Sequence, residues 1–132
     1  MSSETIQLPF MPWDSEIEET ARNAVANGDL AGLEQYLFDI KYFSQSWVFY
    51  TAVTAACLHA KAEHKEWLEH IAGRAYKELT DCPPLVEMAI KQVENLFGRL
   101  GDEEGRKRLE LMRLTLFAVR FAEFGWQVRP GL

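Results

Sequence analysis

Residues 44–60, SQSWVFYTAVTAACLHA, decide the fold. No Asp, Glu, Lys or Arg occurs anywhere from Tyr42 to Ala60. Drawn as a helix, the stretch carries apolar or small side chains on nearly every side: Trp47, Val48, Phe49, Tyr50, Val53, Ala55, Ala56, Cys57 and Leu58. A helix that is apolar all round is buried, so other helices are expected to pack around this one. A membrane span is the competing reading, since about 20 predominantly apolar residues are needed to cross a bilayer. Ser44, Gln45, Ser46, Thr51, Thr54 and His59 make the stretch too polar for that role.

Beyond it the pattern becomes amphipathic. Trp67, Leu68, Ile71, Ala75 and Leu79 recur on one side, with Lys61, Lys65, Glu69 and Lys77 on the other. One helix running to Thr80 is long for a chain of 132 residues, so a kink or break is expected around Ala62–His64. Asp81-Cys82-Pro83-Pro84 ends the run, because a residue before proline avoids helical geometry. A helix over Leu85–Leu100 follows, with Val86, Ala89, Ile90, Val93, Leu96, Phe97 and Leu100 on one face. Asp102–Gly105 reads as a turn, Glu104–Phe124 as a mostly apolar last helix, and 126–132 as an irregular tail.

Upstream, Pro9 and Pro12 make residues 1–12 an extended lead-in. The first helix starts at Asp14 or Ser15, where Ser15 and Glu18 form a capping box. Asn27-Gly28 stops it, and Asp29 caps a second helix over Leu30–Ile40. Ala24–Leu37 resembles one helix-turn-helix unit of a stacked repeat. Such folds need about three copies, so a plain helical hairpin is the better account. No segment reads as a strand. The expected fold is therefore all-α: one domain over 1–132, an irregular bundle of five to six helices centred on the uncharged helix and the last one.

Composition narrows the function classes. With 48% hydrophobic and 26% charged residues, and 16 aromatics, the chain is an ordinary globular one. A pI near 5.1 argues against nonspecific nucleic-acid binding, which needs a basic stripe. Cys57 and Cys82 are too few for a disulfide framework and read as reduced thiols, Cys57 in the core. The first eleven residues show no signal-peptide pattern, which predicts a cytoplasmic protein of bacterial type.

Chemistry-bearing constellations are sparse. His59, Glu63, Glu66 and His70 share one stripe if a single helix carries them, yet neither a His-Glu-x-x-His nor a Glu-x-x-His pair is present, so a solvated face is preferred over a metal site. Arg106, Lys107 and Arg108 lack a glycine-rich loop and lie beside Glu103 and Glu104, as an exposed helix start with local ion pairs would. Arg113 and Arg120, seven apart on an apolar helix, call for internal partners or a contact with another molecule. No nucleophile, base and orienting group fall together, so neither catalysis nor a cofactor is expected.

The charge distribution is more telling. Residues 1–46 hold eight acids and two bases, a net −6, and residues 47–132 hold twelve of each. A one-sided acidic surface governs which partners a protein meets. Aromatic anchors inside a charged rim are how interfaces are built, and Trp13, Tyr36, Tyr42 and Phe43 lie near Glu34 and Asp39. Glu16, Glu19, Glu34, Tyr36, Asp39 and Tyr42 are the expected partner-binding set. The alternative for the three glutamates near the first helix start is ordinary capping.

Two segments carry a resemblance. Residues 71–100, IAGRAYKELTDCPPLVEMAIKQVENLFGRL, and 109–125, LELMRLTLFAVRFAEFG, resemble the small helical immunity proteins of type VI secretion antibacterial effectors, closest to the group guarding against NAD(P)-degrading toxins. A proline-containing turn precedes a helix with A-x-K-Q-x-x-x-L (Ala89, Lys91, Gln92, Leu96), and R-L-T-L-x-A-V-x-x-x-E-F follows from Arg113 to Phe124. The chain departs from that group in its additional N-terminal helices and in ending with Gly125-Trp126 where an acidic continuation is usual, so no individual contact residue is carried over. The resemblance implies a non-enzymatic protein that binds and occludes a cognate toxin. An effector-loading chaperone or adaptor is the alternative, and the last helix leaves open a homo-oligomer seam.

Overall fold

The computed structural model describes residues 14–39, 45–116 and 118–119. These form six α-helices and no strand among the described residues: α1 (Asp14–Asn27), α2 (Leu30–Asp39), α3 (Gln45–His59), α4 (Lys65–Glu78), α5 (Pro83–Arg99) and α6 (Glu103–Leu116). The all-α bundle expected from the sequence is the architecture observed. The lead-in, Tyr42, the tail and the far end of the predicted last helix lie outside the described residues.

Helix α3 is the uncharged segment, and it is central. Val48, Phe49, Ala52, Val53, Ala55, Ala56 and Cys57 are buried together with Ser46 and Thr51. Its small residues let α1 and α5 approach from two sides, while α2 packs against it more lightly. Phe49 meets Phe38 of α2 with ring centroids 5.8 Å apart, a tilted pair of the kind aromatic rings prefer. Burial raises the Cys57 thiol to about 12, so it stays protonated and behaves as an apolar side chain.

Among the described residues the second central helix is α5, where the last helix was expected to hold that place. Helix α5 lies against α3, α4 and α6, and buries Val86, Ala89, Ile90, Val93, Leu96 and Phe97. Each large apolar side chain of that row contributes roughly 1.5–3 kcal/mol. Helix α6 is peripheral: Gly105, Leu109 and Leu116 are fully inside, while Leu111 is 67% and Leu114 50% exposed. Its start is too rich in charge to sit in the centre.

The break in the 44–80 run falls at the place anticipated, with a 3₁₀ turn over Ala62–His64. His64 is buried there, and its Nδ1 accepts from the Lys61 backbone N–H at 2.8 Å. The turn ends the register between α3 and α4, so His59, Glu63, Glu66 and His70 do not form one stripe. Helix α5 also begins two residues earlier than expected. Pro83 and Pro84 occupy its first turn, where a missing N–H costs nothing.

The α1–α2 and α5–α6 turns are built alike. Gly28 (φ +74°) and Gly101 (φ +80°) take the left-handed conformation that ends a helix. The following Asp29 and Asp102 donate their backbone N–H five residues back, to Ala24 and Phe97 O, both at 2.9 Å. Each aspartate then caps the next helix: Oδ1 of Asp29 accepts from Gly32 N–H at 3.0 Å, and Oδ1 of Asp102 from Gly105 N–H at 2.9 Å. No helix of the described residues is long and apolar enough to cross a membrane.

Candidate functional site

Charge pairing divides the molecule. In α4–α6 the acids and bases neutralise one another. Arg108 Nε lies 2.7 Å from Glu69 Oε2, and Lys65 Nζ lies 2.9 Å from Asp102 Oδ2. At the centre of the α5–α6 seam Glu94 is 1% exposed and held between two arginines. It accepts from Arg113 Nε at 2.8 Å and from Arg106 Nη1 at 3.1 Å. Arg113 also reaches Glu87, and Arg106 reaches Glu103 and Glu110. Arg106 and Arg108 of the basic run are thus ion-paired at a helix start, and Arg113 finds its partners inside the protein.

The α1–α2 hairpin is different. Residues 14–39 hold seven acids and a single base, Arg22. Glu16, Glu18, Glu19 and Asp39 are exposed, and none has an ion-pair partner among the described residues. Inward spacing explains why they are left outside: Ile17, Ala21 and Val25 take the face against α3, and Leu33 and Leu37 do the same for α2.

Between the two helices lies an open hollow of about 430 Å³, bordered by Thr20, Asn23 and Asn27 of α1, Asp29 of the turn, and Gly32 and Tyr36 of α2. Ala24 and Leu33 supply its apolar part. Residues four apart share a helix face, so Glu16 and Glu19 extend the α1 wall one turn beyond Thr20 and Asn23. Asp39 extends the α2 wall beyond Tyr36 in the same way. Of the six sequence-selected residues, Tyr36 alone lines the hollow; Glu16, Glu19 and Asp39 lie beyond its lining on the same two helices, and Tyr42 lies outside the described residues.

Glu34 stands apart from them. It faces α4, where its Oε2 lies 2.9 Å from both His70 Nε2 and Arg74 Nη1. Arg74 continues to Glu78 at 2.8 Å and covers the Phe38 ring at 4.3 Å from its centroid. Burial by itself would raise the Glu34 carboxyl; the hydrogen bonds from His70 and Arg74 together outweigh it and hold the group below the usual carboxylate value. Glu34 is a latch between α2 and the body of the protein.

Sequence reasoning missed Thr20, Asn23, Asn27 and Asp29 as parts of this site. Their signal was a polar row at i, i+3 and i+7 on α1, beside the apolar row of Ile17, Ala21 and Val25. No group of three or more metal-ligating side chains converges among the described residues. His59 is exposed at the end of α3, and His70 is engaged with Glu34. In comparisons with known proteins, no family model, no curated protein and no solved structure matches the chain.

Proposed function

We propose that the chain is an immunity protein that binds a cognate secreted antibacterial toxin and occludes it, with the α1–α2 hairpin as its contact face. One observation supports this most: the α1–α2 hairpin carries the exposed acids Glu16, Glu18, Glu19 and Asp39 without ion-pair partners among the described residues and an open hollow, while most arginines of α4–α6 are held by carboxylates. The resemblance of 71–100 and 109–125 to type VI immunity proteins supplies the class of partner. Such a role needs no chemistry, only a rigid body and a complementary face. Toxin sites that handle nucleotides carry basic groups, and an acidic face speeds encounter with them; close charge pairs across an interface couple by about 1.5–7 kcal/mol. Glu16, Glu19, Tyr36 and Asp39 are the contact residues in this reading. The protein acts in the cytoplasm, where an arriving toxin would do harm.

The test is capture of a partner by the purified protein from its source cells, followed by expression of that partner alone and with this chain. A lethal partner whose killing this chain suppresses is the expected result. A partner that is not toxic, or killing that continues at full strength, overturns the reading. The exposed row of Leu111 and Leu114 on α6 favours a second reading, an effector-loading chaperone or adaptor. In that case the captured protein is a secretion component or an effector's leading segment.

A further inference from the structure

We infer that the α1–α2 hollow is an anchor site for an arginine side chain of the partner. This deepens the proposed function and rests on it for the identity of the partner. The hollow's volume of about 430 Å³ falls in the size range of sites that enclose small ligands, about 300–1,000 Å³. It takes an arginine together with the backbone on either side of it. Ala24 and Leu33 offer apolar surface for the methylene stem. The lining residues Thr20, Asn23, Asn27 and Asp29 carry the oxygen acceptors that a head group needs. Tyr36 adds an aromatic face.

Asp29 is arranged for this role. Its Oδ1 caps α2 through Gly32 N–H, while its Oδ2 leans over the Cα of Gly32, itself part of the wall. Any side chain at 32 would meet that carboxylate.

Charge complementarity selects a cation as the occupant. By helical spacing Glu16, Glu19 and Asp39 fall about one turn beyond the lining residues Thr20, Asn23 and Tyr36, and the hairpin's single base, Arg22, lies two residues from Thr20 and so on the far side of α1. Arginine is chosen over lysine because its planar fork presents five donors to several separate acceptors.

The probe is the blocked tripeptide Ala-Arg-Ala, followed by amide chemical shifts of the labelled protein at low salt, with Ala-citrulline-Ala as the neutral isostere. Saturable shifts are expected at Gly32 N–H and at the side-chain amides of Asn23 and Asn27, with citrulline binding at least about tenfold more weakly. Asn27→Lys places a cation in the hollow at an exposed helix end where a positive charge is tolerated, and it should weaken the arginine peptide to a similar extent. Equal shifts from citrulline, unsaturable shifts spread over every exposed acid, or no effect of Asn27→Lys would overturn the inference. The two levels separate with the captured partner. If Asn27→Lys binds it as tightly as wild type while Glu19→Lys/Asp39→Lys binds weakly, the anchor fails and the binding face stands. If the peptide saturates the hollow but no toxin is bound, the anchor stands without the proposed function.

Discussion

Removing the carboxylate of Glu94 should destabilise the protein far more than removing any acid of α1. An exposed ion pair is worth about 0–1 kcal/mol, whereas deleting one member of a buried pair costs about 3–5 kcal/mol because the remaining charge is stranded. Glu94 belongs to the second class, being 1% exposed with arginine nitrogens at 2.8 and 3.1 Å. Its arginines are not left bare, however: Arg106 keeps Glu103 and Glu110, and Arg113 keeps Glu87. The cost of Glu94→Ala is therefore placed at the low end, about 3 kcal/mol. Urea unfolding followed by far-ultraviolet circular dichroism measures it. With a slope near ~2 kcal/mol/M the midpoint should fall by roughly 1.5 M. The triple change Glu94→Leu, Arg106→Met, Arg113→Met removes the charges together and should regain most of the loss, since apolar groups of similar volume often replace a buried ionic cluster at no cost. A loss below about 1 kcal/mol for Glu94→Ala would mean the seam is held by Leu109, Phe97 and their neighbours alone, and the argument from burial would be refuted.

Further expectations concern the latch, the two turns and the thiols. The Glu34 pKa is depressed in the folded state, so the unfolded chain binds the extra proton. The latch's contribution is complete above the ordinary carboxylate value of about 4.3 and is lost as pH falls through the folded value. The urea midpoint of Glu34→Gln should consequently drop less between pH 5 and pH 3 than that of wild type, and parallel curves would remove the latch from the account. Gly28→Ala and Gly101→Ala should cost similar amounts, about 1–2 kcal/mol each, because a Cβ at either position meets open space and only the left-handed backbone is penalised. A much larger loss at one of them would show that the turns are not equivalent. Of the two cysteines, half-buried Cys82 should react with a chromogenic disulfide in the native protein, and Cys57 only on unfolding. Equal rates for both would contradict the burial of α3.

What the sequence disclosed, and what it withheld, follows from the range of the interactions. The central helix was readable because an uncharged run over 42–60 leaves no polar side to turn outward. The break at 62–64 and the Asn27-Gly28-Asp29 turn were readable because length and local cap chemistry determine them. Glu94 was not: it lies between Val93 and Phe97 on the inward row of α5, and a carboxylate there is explained only by Arg106 and Arg113 arriving from another helix. The same holds for Asp81, which accepts from the Ser46 hydroxyl at 2.5 Å across 35 residues, and for Glu34, whose partners lie 36 and 40 residues away. The histidine stripe failed for the opposite reason. Helical spacing was carried across a turn that resets it. At the candidate site, charge alone pointed to the α1–α2 hairpin, but only the packing of the two helices made a hollow from Thr20, Asn23, Asn27 and Tyr36.

The most direct test of the central claim is the association rate of the captured toxin domain with wild type and with Glu19→Lys/Asp39→Lys, measured over a range of salt. Exposed acids steer encounter through the long-range field, which salt screens with a Debye length of about 10 Å at 0.1 M. The account predicts association slowed at least about tenfold at low salt, with a flattened salt dependence and an unchanged urea midpoint for the variant. An association rate equal to that of wild type at every salt concentration would contradict the assignment of the α1–α2 hairpin as the binding face.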